Sequence, residues 1–268
     1  MTIRRAVLGL LVVGLLGLVT RQAAGADQTP AGPKLDVPYE ATPPPVVAAM
    51  LRLGGANPND VVWDLGSGDG RIVIAAVRDF GVKTAVGVEL DPRLAAEAMG
   101  NARAAGVADR VRFIEADLFK TDFSAATLLM LYLYPEVNLR LRPTILAMKP
   151  GTRVVSHSHD MGNWTADKHE VVRRKHLYFW TVPAPVAGRW TWQKDEDYVL
   201  ELTQQFQKVR GSLIAFGGKW PIKNAVLVGD RLQFEARPRR EGAPQAITFS
   251  ATMAPGSAEV VFEVDGRP

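Results

Sequence analysis

Short apolar runs alternate with amphipathic stretches between residues 42 and 156. The apolar runs predict buried strands, and the stretches in which apolar residues recur every three or four positions predict helices. The predicted strands are 61–63, 84–88, 111–114, 127–132 and 153–156, and the predicted helices are 43–53, 71–80, 92–105 and 135–148. Thr42, which three prolines follow, is expected to cap the first helix. Apolar strands that alternate with helices indicate a doubly wound α/β fold around a parallel sheet.

The pattern changes after about residue 185, where candidate strands follow one another without helices. The predicted strands are 189–192, 198–205, 207–214, 225–228, 231–236, 246–251 and 259–264. Gly229-Asp230 is a typical hairpin turn, and strict alternation places Leu232, Phe234 and Ala236 on one face. We therefore expect an α/β domain over 39–185 and a small antiparallel β domain over 186–268, built as an open sheet or a half-barrel.

The first 26 residues have the pattern of a secretory signal. Arg4 and Arg5 precede an unbroken apolar run at 6–19, and Ala-Gly-Ala at 24–26 offers small residues to a signal peptidase. The run is shorter than the ~20 residues of a comfortable membrane span. We expect a cleaved signal at 1–26, a linker at 27–38 and export to the periplasm, with an uncleaved membrane anchor as the alternative.

Composition and charge narrow the class of function. The 268 residues include no cysteine, which excludes a disulfide scaffold, a zinc–thiolate site and a cysteine nucleophile. The 32 basic residues exceed the 28 acidic ones by four, and removal of the three arginines in residues 1–26 reduces that excess to one. A nearly neutral protein has no strong attraction to phosphate, so we expect no nucleic-acid partner.

The candidate chemistry begins in a glycine-rich turn after the first strand. Residues 64–70 read Asp-Leu-Gly-Ser-Gly-Asp-Gly and lead into a helix, whose free amides and positive dipole end attract a ligand. A dinucleotide fingerprint requires glycine at position 71, where Arg71 stands, and no Gly-Lys-Ser/Thr follows as in a phosphate loop. The spacing therefore predicts a different ligand, which the backbone approaches closely.

Three features in this order resemble the class I S-adenosylmethionine-dependent methyltransferases, over about residues 38–182. In that family the turn wraps the methionine part of the cofactor, an acid ending the second strand holds the ribose, and an Asp after the third strand meets the adenine. Glu89 and Asp117 match these acids, although by themselves they also fit a loop acid and a helix cap. The resemblance implies a seven-strand Rossmann-like sheet and S-adenosyl-L-methionine as cofactor. The implied cofactor-binding residues are Tyr39, Thr42, Asp64, Gly66, Ser67, Gly68, Gly70, Glu89, Asp117 and Leu118.

A closer resemblance is to the mitochondrial protein-lysine methyltransferases that act on the ATP synthase c-subunit and the adenine nucleotide carrier. The motifs that carry it are 37–39, 42–43, 64–73, 117–120, 133–137 and 153–157. This chain is similar to a bacterial branch of that group, although those enzymes have no β-rich tail. The resemblance implies a protein amine, such as lysine, as methyl acceptor. Tyr-Leu-Tyr-Pro at 132–135, in place of Asn-Pro-Pro-Tyr, argues against methylation of DNA bases.

The ends of the fourth and fifth strands should face the transferable methyl group, because ligands of an open parallel sheet bind beyond the carboxyl ends of its strands. We expect Tyr132 to position the acceptor there and His157 or Asp160 to accept a proton. Packing of Tyr132 under the next helix is an equal alternative. His157 and His159 lack a clear third ligand, so we expect no metal.

The sequence thus predicts a methyltransferase whose acceptor is a protein or a small molecule. The alternative is an exported protein that binds the cofactor or its product on the same scaffold without turnover. That alternative has a physical motive, since the cofactor is expected in the cytosol whereas the signal directs the chain outward. No membrane span is expected beyond the N-terminal segment, and the sequence does not specify an oligomeric state.

Overall fold

The computed structural model describes residues 39–193, 196–238, 247–254 and 257–264, so the predicted signal and linker lie outside the described residues. The first elements are α1 (Pro44–Leu53), β1 (Val61–Leu65), α2 (Arg71–Phe80), β2 (Thr84–Glu89), α3 (Pro92–Ala104), β3 (Val111–Glu115), β4 (Leu128–Leu131), α4 (Pro135–Leu146), β5 (Arg153–His157), β6 (Lys168–Val172) and β7 (Lys175–Thr181). The remaining strands are β8 (Gly188–Gln193), β9 (Asp197–Gln205), β10 (Lys208–Ala215), β11 (Gly218–Val228), β12 (Arg231–Ala236), β13 (Ile247–Ala254) and β14 (Ser257–Val264).

The first seven strands form one sheet in the order β3-β2-β1-β4-β5-β7-β6. The first five of them are parallel, whereas β7 runs antiparallel to both β5 and β6. Successive residues of β4 are buried on opposite faces: Leu128 and Met130 pack with α1 and α2, and Leu129 and Leu131 pack with α4. Both faces are therefore covered, and the predicted Rossmann-like fold is confirmed.

The hairpin of β6 and β7 was not expected from the sequence. Four of the five side chains of β6 are exposed, so the strand has no apolar pattern. It forms because its backbone pairs with β7, whose Leu177 and Phe179 are buried against the sheet. The hairpin completes the sheet beyond β5. It brings Lys175, the first residue of β7, to the edge of the sheet at which the parallel strands have their carboxyl ends.

The last seven strands form a second, separate antiparallel sheet in which every strand pairs with its neighbours along the chain. Leu232, Phe234 and Ala236 are buried on one face as predicted, which confirms the small β domain. β11 is longer than predicted because it continues through Pro221 and a bulge between Lys223 and Val226. The predicted residue 246 lies outside the described residues.

The β domain contacts the first sheet on the α4 side through Trp164, Phe206 and Gln207, and we call this contact the seam. The Trp164 indole Nε1 donates to Gln207 Oε1 at 3.1 Å, and Gln207 Nε2 donates to the Thr165 carbonyl at 2.7 Å. Phe206 stacks on Trp164, with ring centroids 5.9 Å apart. Ala184, beside the predicted domain boundary, already packs in the core of the second sheet. Within the part of the chain that is described, no helix is long and apolar enough to cross a bilayer.

Candidate cofactor cleft and acceptor site

A cleft opens at the carboxyl ends of β1, β2 and β4. It encloses about 910 Å³ of empty space, part of which is open to solvent. Its walls come from the segment before α1, the turn after β1, the residues after β2 and β3, and the end of β4. The predicted site residues that line it are Tyr39, Thr42, Asp64, Gly66, Ser67, Glu89, Asp117, Leu118 and Tyr132.

The glycine-rich turn is fixed to the end of β2 by backbone hydrogen bonds. The amides of Gly66 and Ser67 donate to the Val88 carbonyl at 2.8 and 3.0 Å, and the Gly68 amide donates to Glu89 Oε2 at 2.8 Å. Gly66 and Gly68 have φ of 78° and 55°, a region that favours glycine. The Ser67 hydroxyl is buried without a hydrogen-bond partner among the described groups, which leaves it available to a ligand.

Gly68 and Gly70 exclude a side chain for two different reasons. A Cβ on Gly68 would collide with the ring of Tyr39, which lies over the turn at the cleft. A Cβ on Gly70 would lie 2.5 Å from the Phe113 ring and 2.9 Å from the Ala98 methyl group, at the contact between α3 and β3. Gly70 therefore serves the packing of the sheet, whereas Gly68 shapes the ligand surface.

Three carboxylates converge on the turn and give it an excess of negative charge. Asp64 is only 2% exposed, and burial, with Glu89 and Asp69 nearby, raises the pKa of its carboxyl well above the usual value. Asp69 is neutralised by Arg71, whose Nε donates to its Oδ1 at 2.8 Å. Glu89 Oε1 accepts from two further backbone amides at 2.9 Å each. A cationic ligand would relieve the repulsion between these carboxylates.

Asp117 lies at the far end of the cleft, where it also closes a turn. Its Oδ1 accepts from the Phe119 amide at 2.9 Å, and its Oδ2 lies 3.6 Å from Lys120 Nζ. In the described part of the chain no helix directly follows Asp117, so it is not the helix cap that the sequence offered as an alternative; it stabilises a turn and lies on the cleft wall. Leu118 and Ala116 form the apolar surface beside it.

The segment before α1 closes one side of the cleft through side-chain contacts. Arg71 Nη1 donates to the Thr42 carbonyl at 2.9 Å while the same guanidinium binds Asp69. The expectation that Thr42 caps α1 is wrong: Pro43 occupies the N-cap position, and no side chain caps the helix there. The Thr42 hydroxyl instead lies 3.1 Å from His157 Nδ1, which ties the segment to the end of β5.

Tyr132 occupies the end of β4, where the acceptor is expected. Its ring stacks on the His157 imidazole at 3.9 Å between centroids. Burial and the neighbouring Glu40 carboxylate raise the pKa of its hydroxyl. His157 is fully buried behind this ring and does not line the cleft, and its Nε2 has no partner among the described groups. The geometry gives His157 a position that supports Tyr132, and the proton-accepting role of His157 stays a prediction.

Asp160 and His159 diverge from the cleft because β5 ends at His157. Ser158 has φ of 66°, which breaks the strand before those residues. Asp160 Oδ1 accepts from the Gly162 amide at 3.0 Å, and the His159 ring meets Tyr134 edge-on at 6.0 Å. The structure therefore does not bring Asp160 beside Tyr132. The described ranges contain no group of three side chains suited to hold a metal ion.

Sequence reasoning missed two polar residues beside the acceptor position and part of the apolar wall. Glu40 lines the cleft, and its Oε1 lies 3.5 Å from Lys175 Nζ. Leu133 and Val137 line the end of β4 and the start of α4. Glu40 follows Tyr39 directly in a motif that the sequence had singled out, which is the signal that was available. Nothing in the pattern of residues 168–181 indicated Lys175.

Comparison with known proteins decides the family. Residues 64–168 match the model of the ANTKMT methyltransferase domain. A protein-lysine N-methyltransferase of Saccharolobus islandicus is 43% identical over 129 residues, which are 48% of this chain and 80% of that protein. The chain belongs to the ANTKMT methyltransferase family. The lysine N-methyltransferase of Mus musculus that is named for the ATP synthase c-subunit is 32% identical over 163 residues, which cover 59% of this chain and 65% of that enzyme.

A solved structure extends the likeness to the bound cofactor product. The RNA methyltransferase from Salinibacter ruber, in complex with S-adenosyl-L-homocysteine, is 49% identical, with a TM-score of 0.54 over 55% of this chain and 96% of that one. The chain is thus an S-adenosylmethionine-dependent methyltransferase, and both the recognised family and the cofactor are confirmed. The alternative of a binding protein without turnover receives no support from these likenesses.

The lining of this methyltransferase's cleft suits S-adenosylmethionine in charge and polarity. The cofactor carries an ammonium and a sulfonium, which match the excess negative charge of Asp64 and Glu89. The buried hydroxyl of Ser67 and the free positions on Asp117 supply polar partners. The individual contacts to the cofactor stay predictions, because the lining alone does not assign them.

Acidification is expected to destabilise the methyltransferase through His157. Burial, and then the charge of Lys175, lowers the pKa of the imidazole to about 4, below the ~6.5 of an unfolded histidine. The unfolded chain therefore takes up a proton first, and stability that is complete above pH ~6.5 is lost as the pH falls toward 4, by up to ~3 kcal/mol. Denaturant unfolding between pH 7.5 and 4.5 should show a shallower loss for His157→Gln. Parallel curves for both proteins would contradict this role.

Removal of the β domain is expected to leave cofactor binding within about tenfold of the full chain, because the cleft belongs to the other sheet. The lining residues run from Tyr39 to Val137. A chain ending at Ala187 loses the contacts of Gln207 and Phe206 with Trp164, so its unfolding temperature should fall. Calorimetric titration and thermal unfolding measure the two effects, and Gln207→Ala in the full chain isolates the seam. A larger loss of affinity in soluble shortened chain would show that the two units share the site.

Proposed function

We propose that this methyltransferase transfers a methyl group to a lysine side chain of another protein. The observation that carries the proposal is the 43% identity with a protein-lysine N-methyltransferase, since the alignment covers 80% of that enzyme. The ATP synthase and adenine nucleotide translocase lysine methyltransferases of Mus musculus support the same class of acceptor at 32% and 36% identity. The acceptor protein itself is not indicated by these likenesses.

An RNA acceptor is the second candidate, because the Salinibacter ruber protein named as an RNA methyltransferase is 49% identical. Two features favour the protein acceptor. Outside residues 1–26 the chain carries an excess of only one basic residue, which provides little general attraction to phosphate. The strand end that faces the acceptor carries Tyr132 with a carboxylate beside it, and a carboxylate repels a phosphate backbone.

Different residues of the cleft have different roles in methyl transfer. S-adenosylmethionine, when bound, supplies a methyl group that is activated on a sulfonium. The carboxylates of Asp64 and Glu89 bind and orient the cation, and the amides of the glycine turn hold that turn against the end of β2. Leu133 and Val137 form an apolar wall at the end of β4 that excludes water from the reacting side of the cleft. Tyr132 stands at the edge of this wall, where the acceptor amine enters.

The test is a comparison of acceptors with labelled cofactor. The full-length enzyme is incubated with methyl-tritiated S-adenosylmethionine and either a protein extract or total RNA from the same cells. Label that enters protein, and that comigrates with methyl-lysine after hydrolysis, supports the proposal. Label that enters RNA and is released by ribonuclease overturns it. Asp64→Ala protein, which should bind the cofactor weakly, provides the control for label that enters the extract without this enzyme's cofactor site.

We also propose that the chain is exported to the periplasm by its first 26 residues. The support is the pattern of Arg4, Arg5 and the apolar run at 6–19, followed by small residues at 24–26. The prediction is a mature protein that begins near Asp27 in the periplasmic fraction. Fractionation and N-terminal sequencing check it, and Arg4→Ala combined with Leu10→Arg should retain the chain in the cytosol. Protein that starts at Met1 in the cytosol of the unmodified strain contradicts the proposal.

A further inference from the structure

A carboxylate, a phenol and a primary ammonium meet at the mouth of the cleft. The Glu40 carboxylate lies beside the Tyr132 hydroxyl, and its Oε1 lies 3.5 Å from Lys175 Nζ. Glu40 and Tyr132 line the cleft, whereas Lys175 enters from β7. The two elements meet because β7 runs antiparallel to β5, which places its first residue beside the end of β5.

The ion pair between Glu40 and Lys175 is of a kind that exchanges easily. The Glu40 side chain is 67% exposed and the Lys175 side chain is 37% exposed. An ion pair with so much exposure to water contributes little to stability. Replacement of one ammonium by another therefore costs little. The hydrogen bond from Tyr132, with the charge of Lys175, lowers the pKa of Glu40, so its carboxylate stays charged throughout the neutral range.

The other carboxylates of the cleft are already engaged. Asp64 is buried under the turn, Glu89 accepts three backbone hydrogen bonds, and Asp69 binds Arg71. Asp117 closes its own turn at the adenine end. Glu40 is the exposed carboxylate of the cleft lining that stands next to the end of β4.

We propose that Glu40 and Tyr132 form the subsite that receives the primary ammonium of the acceptor, and that Lys175 fills this subsite until the acceptor displaces it. Lys175 is a lysine amine already paired with the Glu40 carboxylate at the acceptor end of the cleft. The inference deepens the proposed function, since it rests on a lysine acceptor. Glu40 holds the amine on arrival and the methylammonium on departure, and the amine loses its proton to solvent before it accepts the methyl group.

The hairpin that carries Lys175 is built to hold it in place. Arg173 and Arg174 form the two-residue turn between β6 and β7 with φ of 50° and 65°. Residues other than glycine adopt this region at a cost, but it matches the twist of a tight hairpin. Lys175 thus starts β7 from a fixed backbone, and displacement of its amine requires only side-chain rotation.

The experiment measures binding of n-butylammonium, a minimal lysine side chain, to the full-length enzyme saturated with S-adenosylhomocysteine. Titration calorimetry or ligand-observed NMR gives the affinity without any need for turnover. Glu40→Gln should weaken binding about two- to fivefold, and Lys175→Met should strengthen it by a similar factor, because it removes the internal competitor. Glu136→Gln and Lys168→Met, which change an exposed acid and an exposed lysine elsewhere on α4 and β6, should match the unmodified enzyme.

The opposite changes in n-butylammonium affinity expected for Glu40→Gln and Lys175→Met distinguish the inference from a structural effect. A loss of folding changes both variants in the same direction, whereas competition at one subsite changes them in opposite directions. Unchanged binding in Glu40→Gln, no gain in Lys175→Met, or no measurable binding by any variant would each overturn the inference. The labelling experiment on protein and RNA is independent of this result. If RNA is labelled while the n-butylammonium affinities of the variants change as expected, only the proposed lysine acceptor is contradicted.

Discussion

Gly68→Val is expected to reduce the affinity for S-adenosylmethionine by at least about 100-fold. Gly68 has φ of 55°, where a β-branched residue is strained, and any Cβ at this position collides with the ring of Tyr39. Its amide also holds Glu89, so a displaced turn disturbs an acid of the cleft as well. Titration calorimetry with the cofactor measures the effect.

A second glycine offers a matched control for the backbone strain alone. Gly106, after α3, has φ of 69°, and a Cβ there would meet no atom within 4 Å. Gly106→Val should lower the unfolding temperature and leave the cofactor affinity unchanged. Equal losses of affinity in both variants would show that Gly68 acts through stability and not through the surface it presents.

Asp64→Asn is expected to move stability and binding in opposite directions. In the free protein burial raises the pKa of Asp64, so its ionisation opposes folding at neutral pH, and the neutral amide should raise the free energy of unfolding. The same change removes a charge that faces the cationic cofactor, and the affinity should fall about 10- to 100-fold. Because the bound cation favours the ionised carboxyl, the affinity of the unmodified enzyme should also fall on acidification.

Asp60 lies at the other end of β1 from Asp64, and its replacement by Asn is expected to have the opposite effect on stability. It is 4% exposed in its side chain and pairs with Arg153, while Thr127 Oγ1 donates to its Oδ1 at 2.7 Å. Asp60→Asn should therefore lower the free energy of unfolding, because it leaves the partly buried guanidinium of Arg153 without its counter-charge, and should leave the cofactor affinity unchanged. Stabilisation by Asp64→Asn without loss of affinity would remove Asp64 from the binding site.

The parallel half of the first sheet was predictable because burial on both faces leaves long apolar runs. β1, β2, β4 and β5 all appear where the sequence placed them, and their ends differ from the predicted ones by at most two residues. β6 was not predictable, since four of its five side chains are exposed and give it no apolar pattern. The first half of β11 was missed although Trp220 and Ile222 share a half-buried face, because Pro221 between them argues against a strand.

The cofactor half of the site was predictable, whereas the acceptor half was not. The glycine turn and Glu89 are close in sequence to the strands that carry them, so their spacing preserves the arrangement. The contacts of Glu40 with Tyr132 and Lys175 join three segments separated by about 90 and 40 residues, and no local pattern encodes such a meeting. Thr42 shows the same limit, since its contact with His157 spans 115 positions.

The two sheets differ in how far apart along the chain their pairing partners lie, which bears on how the protein acquires its structure. In the second sheet each strand pairs with the next, so its hairpins close over short loops. In the first sheet the central strand β1 pairs with β4, which is distant in sequence, as Val62 pairs with Leu128. Short loop closures are fast and distant ones slow. After dilution from denaturant, the C-terminal meander should thus gain its hydrogen bonds early, and the cleft should form last.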